Sequence, residues 1–329
     1  MGRRALDRRA FLTGAAALGF SGAAGRPASA QSFPANVIRI VVPTSASTPP
    51  DILARIIATA LSDSEGWKVV VENKAGAVMT IGAMDVLSQP ADGHTLFSVT
   101  APIAALPALV PNAQFNFEKD FMPVIRTGTG YNVLVVNPSV PAKSLSELLA
   151  LARQKPGAVT FGSAGVGTAL HIGALELESL AGVKITAVHY RGAAPALTDV
   201  MAGHIDAVIM GPSVALSAVR EGKLRMLAFG SPRRVPQFPD VPTFAETVPG
   251  YEAGVSFGMF AAMGTPPDIV RKINADVQKI VADPEFKKKY LDPLAVQPIS
   301  GPPEAFAEYL RKESTRWGEV IHAANVKVE

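Results

Sequence analysis

Two turns in this chain carry residue types that can hold an anion without doing covalent chemistry on it. The first is Thr44-Ser45-Ala46-Ser47-Thr48, four hydroxyls between an apolar run and the start of an amphipathic stretch. The second is Ser163-Ala164-Gly165-Val166-Gly167-Thr168, a Gly-rich turn with a hydroxyl at either end. A turn leading from a strand into a helix leaves the first helical N–H groups free and faces the positive end of the helix dipole. Small residues let a guest approach the backbone. Hydroxyls and amides hold a carboxylate without a full counter-charge, so release stays easy. Each turn also has a plainer reading, as a capping loop or a tight connection with no guest. Two of them at the same place in a repeated strand–helix pattern favour binding.

The catalytic and cofactor readings of these residues fail. A nucleophile elbow centred on Ser163 needs glycine two residues before it, where Phe161 stands. A dinucleotide fingerprint opening at Gly165 needs Gly or Ala at its last position, where Leu170 stands, and no Gly-Lys-Ser/Thr follows to make a P-loop. The histidines are His94, His171, His189, His204 and His322; none pair at i, i+2 or i, i+4, so a metal site has no support. His171 either lines the second turn or packs between helix and sheet. Asp51 and Asp206 read as a first-turn charge and a strand-end residue rather than an acid/base pair. Tyr190-Arg191-Gly192 ends a strand, where Arg191 either attracts an anion or pairs with a surface acid. No catalytic residue, metal or cofactor is expected.

The elements that must position these residues alternate. Val37–Pro43 is a β-branched run that reads as a buried strand, and Ile52, Leu53, Ile56, Ile57, Ala60 and Leu61 mark one face of a helix with Thr48 as N-cap. Strands follow at Lys68–Glu72, Thr95–Val99, Asn132–Val136, Thr160–Ser163, Ile185–Tyr190, Ile205–Met210 and Leu224–Phe229. Helices are expected at Thr80–Ser88, at Leu145–Lys155 (capped by Ser144 with Glu147), at Thr168–Leu180 (closed by Gly182), and near Ala194–Met201 and Ser213–Arg220. Beyond Pro266 the pattern turns helical over Asp268–Ala282 and Pro303–Ala324, with Val296–Ser300 extended between them. Ser231–Gly250, with prolines at 232, 236, 239 and 242, is a long connection. This pattern predicts two α/β lobes with mainly parallel sheets, joined by segments near Val124–Tyr131 and Val255–Met263. Guests of open α/β sheets sit beyond the carboxyl ends of the strands, here in the cleft between lobes.

Residues 1–30 read as a targeting segment, with an ordinary secretory signal or an uncleaved membrane anchor as the plainer alternatives to a twin-arginine signal. Arg3, Arg4, Arg8 and Arg9 precede a short apolar run from Gly14 to Gly25, and Ala28-Ser29-Ala30 is a small-residue cleavage site that places the mature start at Gln31. Arg8-Arg9-Ala10-Phe11-Leu12 resembles the twin-arginine export signal, and Arg26 disfavours the ordinary secretory route. Removing five arginines and Asp7 from 31 basic and 28 acidic residues leaves 26 and 27, a net charge of −1. That balance, with 7% aromatic residues, argues against a nucleic-acid partner. The chain holds no cysteine, so disulfides, thiolate metal sites and a lipidated N-terminal cysteine are excluded. An exported chain without an anchor needs an outer barrier to retain it, which points to the periplasm.

The mature chain, about Val37 to Val328, resembles the periplasmic binding proteins of tripartite tricarboxylate transporters, often called the Bug family. The resemblance is carried by Ile40-Val41-Val42-Pro43 with Asp51, Val70-Val71-Glu72-Asn73-Lys74, Ala91-Asp92-Gly93-His94-Thr95-Leu96 and Phe161–Thr168 with His171. Tyr190-Arg191-Gly192-Ala193-Ala194-Pro195-Ala196-Leu197, Gly222-Lys223-Leu224-Arg225, Pro239-Asp240-Val241-Pro242-Thr243 and Gly264-Thr265-Pro266 complete it. It implies a type II-like, two-lobed periplasmic binding protein fold with residues 31–130 and 255–329 in one lobe, 131–254 in the other, and two crossover strands at the cleft. It also implies a small carboxylate held by the two turns, partly through water, and delivery to membrane permease subunits by a monomer. The expected binding set is Thr44, Ser45, Ala46, Ser47, Thr48, Asp51, Thr100, Ser163, Ala164, Gly165, Gly167, Thr168, His171, Tyr190, Arg191, Gly211 and Phe257. The chain departs from the family at Ser47-Thr48, where Gly-Gly is usual, at Val78-Met79, where a Gly-rich run is usual, and at Phe257, where tryptophan is common. Thr100–Ala108 also lacks the usual polar residues. These departures suggest a more apolar guest face and an aromatic or branched carboxylate. An exported enzyme acting on a carboxylate or ester, a sensor for a signalling partner and a cofactor carrier are the alternatives.

Overall fold

The structure is a computed structural model that describes residues 33–46, 48–110, 113–166, 168–236 and 238–326; residues 1–30, expected above to be a targeting segment, lie outside the described residues. The chain divides into Met1–Ala35 and Asn36–Glu329, and the architecture below is that of the second unit.

In chain order, the first part runs β1 (Ile38–Val42), α1 (Pro49–Glu65), β2 (Val69–Asn73), α2 (Thr80–Leu87), β3 (Thr95–Thr100), α3 (Leu106–Leu109), α4 (Phe117–Asp120) and β4 (Phe121–Tyr131). A 3-10 turn, Ala101–Ala105, links β3 to α3. Then come β5 (Val133–Val136), α5 (Leu145–Gln154), β6 (Thr160–Ser163), α6 (Ala169–Ala181), β7 (Thr186–His189), α7 (Ala193–Ala202), β8 (Ala207–Met210), α8 (Pro212–Arg220) and β9 (Arg225–Phe229). The chain returns through β10 (Gly254–Ala262), α9 (Pro267–Ala282), α10 (Pro284–Phe286), β11 (Val296–Pro298) and α11 (Pro303–Ala323).

Among the described residues these strands form two sheets, ordered β11-β4-β10-β3-β1-β2 and β7-β6-β8-β5-β9. Both are mixed rather than mainly parallel. β1 is parallel to β2 and β3, and β6 is parallel to β7 and β8, but β10 runs against β3 and β4, and β5 against β8 and β9. The cause is the crossover. The chain leaves the first sheet along β4 and re-enters it along β10, so the two meet antiparallel. The segments expected as connections at Val124–Tyr131 and Val255–Met263 are therefore long sheet strands. Pro123, Gly128 and Gly130 hide β4 in the sequence. Two register shifts opposite Phe257–Phe260 let Pro123 sit in the strand without donating, and Asn274 Nδ2 donates to the carbonyl of bulged Val124 at 2.8 Å.

Periodicity finds the core. α1 buries Leu53, Ala54, Ile57 and Leu61 against the first sheet, and its chain reverses at Gly66 with φ +68°. Beside β3 and β10, Phe97, Phe117, Phe121, Phe260 and Phe306 form a chain of ring contacts, with Phe117 edge-on to Phe260 at 4.8 Å. In the second sheet's core, fully buried Tyr251 tilts against Phe244 and donates to the Gly173 carbonyl at 2.9 Å. Ser144 accepts from the Glu147 amide as expected of the α5 cap, while the Glu147 carboxylate reaches back to the Lys143 amide.

The two crossings touch. Asn132 N–H donates to Ala253 O and Gly230 N–H donates to Asn132 O, both at 2.8 Å. A Cβ on Gly230 would lie 2.4 Å from the Ala253 carbonyl oxygen, whereas one on Gly318, inside α11, meets nothing within 4 Å. Gly230→Ala is therefore expected to lower stability by about 1–3 kcal/mol through overpacking. Gly318→Ala should raise it by about 0.5–1 kcal/mol through helix propensity. Urea midpoints of the two variants check this.

Candidate functional site

Parallel pairing brings the carboxyl ends of β1, β2 and β3 to one edge of the first sheet, and those of β6, β7 and β8 to one edge of the second. Every described residue of the expected set lies on one of these edges or on the crossover strand. Thr44, Ser45, Ala46 and Thr48 follow β1, Thr100 ends β3, and Phe257 pairs with Thr100 on β10. Ser163 ends β6, Ala164 and Gly165 continue it, and Thr168 caps α6. Tyr190 and Arg191 follow β7, and Gly211 follows β8. Ser47 and Gly167 lie outside the described residues. The two edges meet at one point: Ala105 and Leu109 beyond β3 share an apolar cluster with Ile172 of α6 and with Trp317 and Ile321 of α11.

The first turn is turned inward. Thr44 Oγ1 and Thr48 Oγ1 lie 2.7 Å apart, and Thr48 Oγ1 donates to Ser45 O at 2.9 Å, so Thr48 does not cap α1 with its side chain as expected. Pro49 and Pro50 remove two of the amides that a helix start normally offers. Asp51 is 2% exposed and accepts from Arg55 Nε at 3.1 Å and Asn73 Nδ2 at 2.8 Å; Asn73 also donates to Thr44 O. Asp51 thus braces the turn and meets the helix dipole itself. Of the stretch Thr100–Ala108, Ala101, Ile103, Ala104, Ala105 and Leu106 are buried in the core, which leaves half-buried Pro102 and Ala108 and exposed Pro107 as its accessible apolar part. Phe257 packs on Gly130 at the crossover.

The second edge is built differently. Thr168 Oγ1 donates to Gly165 O at 2.8 Å and accepts from the His171 amide at 3.4 Å, and Gly165 adopts φ +130°. No acid stands in the first turn of α6, α7 or α8, and α7 and α8 start at Gly192 and Gly211 without a side-chain cap. Three helix starts thus aim positive ends along one sheet edge. Arg191 is exposed there and makes no ion pair with the described residues. Tyr190 turns away: its hydroxyl donates to Asp199 at 2.8 Å, and burial together with that bond pushes its pKa up to about 12.

Sequence reading missed His189. It stands opposite Ser163 in the parallel register, its Nδ1 is 2.7 Å from Ser163 Oγ, and its ring meets the His171 ring edge-on at 4.5 Å. Only strand register reveals this, since 26 residues separate Ser163 from His189. Asn73 was missed for the same reason. His171 is 6% exposed, and burial with His189 nearby lowers its pKa to about 4. It is neutral at neutral pH and supplies no positive charge beside the second turn, where amides and hydroxyls are the remaining donors.

The depressed His171 pKa has a measurable consequence. As pH falls below about 6.5 the unfolded chain takes up the proton first, so stability drops until about pH 4 and then levels. Between pH 7 and 4.5 the wild type should lose roughly 2 kcal/mol more than His171→Gln. Urea unfolding at the two pH values measures the difference, and equal losses would contradict it.

The model of the tripartite tricarboxylate transporter family receptor matches residues 53–326. Protein BugT of Bordetella pertussis is 32% identical over 309 residues, 92% of this chain and 94% of that one. Rpa4515 of R. palustris, solved with adipate, superposes with TM-score 0.79 at 31% identity, covering 90% of this chain and 100% of that one. MatC (Rpa3494) from Rhodopseudomonas palustris, with bound malate, gives TM-score 0.73 at 30% identity, covering 88% and 100%. The matched family is one of transporter receptors, substrate-binding proteins rather than enzymes. With the match running over most of its length, the chain belongs to the receptors of the tripartite tricarboxylate transporter family.

Proposed function

We propose that this protein captures a short dicarboxylate between its two sheet edges, outside the cytoplasm, and delivers it to the membrane permease of a tripartite tricarboxylate transporter. The observation that carries the reading is the row of acid-free helix starts at α6, α7 and α8, with Ser163, Thr168 and Arg191 beside them. The relatives solved with adipate and malate supply the ligand class. Residues 1–30 serve export and are removed, leaving a chain whose described residues include no helix long and apolar enough to cross a membrane. Residues 31–130 with 255–329 form one lobe and 131–254 the other. Closure on the ligand turns about the crossings at Asn132 and Ala253 and is driven by the ligand's higher affinity for the closed form. The first turn, stiffened by Asp51 and Asn73, acts as a firm lip with Thr100, Gly211 and Phe257 around it.

Thermal melting of protein starting at Gln31 tests this. Adipate or malate should raise the midpoint by several degrees at saturating concentration. Ser163→Ala with Thr168→Val should weaken that ligand about tenfold or more, since the Ser163 hydroxyl contact and the Thr168–Gly165 bond that shapes the turn, at about 1 kcal/mol each, are lost. A flat response to adipate, malate, citrate, aspartate and benzoate alike would overturn the proposal, as would turnover of any of them.

A further inference from the structure

The lobes enclose a second space that shares no residue with the turns at 44–48 and 163–168. It is a cavity of about 650 Å³ beside the crossover, a size suited to a small organic guest. One wall comes from the second sheet's side: Leu216 of α8, Phe229 at the end of β9, and Val235 and Phe238 of the proline-rich connection. Phe229 and Phe238 stack at 5.4 Å with a 31° tilt, which makes a preformed apolar face. The other wall comes from the first sheet's side, and its backbone is irregular. Lys287–Leu291 is a π-helical turn, Asp292–Leu294 a 3-10 turn, and Ala295 holds φ +52° before β11. A π-turn and a left-handed alanine each carry a conformational cost, and such costs gather where a surface is shaped for a guest.

The charges at the mouth select the guest. Lys287 and Asp292 satisfy each other. Arg220, in the last turn of α8, lines the same cavity, is exposed and has no ion pair among the described residues. A free guanidinium at the rim of an apolar slot fits a carboxylate whose remaining body is hydrocarbon.

We propose that this cavity, walled by Leu216, Phe229 and Phe238 on one side and Ala295 and Val296 on the other, is a second binding site for an amphipathic monocarboxylate, with Arg220 holding its head. Both lobes supply walls, so a change of inter-lobe angle changes the width of the slot. Occupancy there is linked to occupancy of the main cleft.

Octanoate is the probe, titrated calorimetrically into protein starting at Gln31. The wild type should bind it with a dissociation constant below about 1 mM. Arg220→Ala, at an exposed position, should weaken it about five- to tenfold. Leu216→Glu, which puts a charge into the slot, should abolish it, and Gln297→Trp, which blocks the slot from an exposed lining position on β11, should do the same if Leu216→Glu does not fold. Thr168→Val, a main-cleft variant, should leave octanoate affinity within about twofold. No binding at several millimolar octanoate overturns the proposal. So does loss of binding in Thr168→Val with retention in Gln297→Trp, because the probe then sits in the main cleft.

Discussion

A helix cannot satisfy its own first amides, and parallel strands bring helix beginnings to one edge of a sheet. The second sheet uses that constraint three times over. β6, β7 and β8 run parallel, and the helices that follow them begin without an acid to neutralise their positive ends. The first sheet suppresses it. Its β1 turn leads into Pro49 and Pro50, which carry no N–H, and Asp51 supplies the negative charge itself. On the function proposed above, one lobe attracts the anion while the other shapes the opening, an asymmetry that hydroxyl content alone does not reveal.

The longest of these helices, α6, is also held by the opposite lobe. Ile172, one turn into α6, packs with Ala105, Leu109, Trp317 and Ile321. One turn further on, Glu176 is 5% exposed and pairs with Arg316 of α11 at 2.6 Å, while Arg316 also holds Glu313. Burial raises the Glu176 carboxyl and Arg316 opposes the rise. A buried pair of this kind fixes geometry more than it adds stability, because desolvation offsets most of the attraction. α6 is thus registered against the first lobe behind the site while its N-terminus, capped by Thr168, faces the sheet edge in front.

Much of this was legible in the residues. Strand and helix identities followed from periodicity, the Ser144 cap and the Gly182 stop from local chemistry, and the second turn from Gly165 in its strand–turn–helix setting. What escaped reading depended on register and on tertiary partners. Asp51 reads as a first-turn charge until Asn73 and Arg55, 22 and 4 residues away, are seen to hold it. Ser163 and His189 become neighbours only through β6–β7 pairing. Ala101–Ala105 looks like an open apolar surface until all but half-buried Pro102 are found in the core. β4 looks like a linker because Pro123 breaks its pattern, and the bulge that accommodates the proline is set by β10, more than a hundred residues later.

Backbone amide shifts on titration with adipate test most directly where the anion sits. The largest changes should fall on Ala169 and Leu170 at the start of α6, on Ala193 and Ala194 at the start of α7, and on Ser213 of α8, with Asp51 and Ile52 of α1 little affected. Largest shifts at the start of α1, with α6, α7 and α8 silent, would contradict the account.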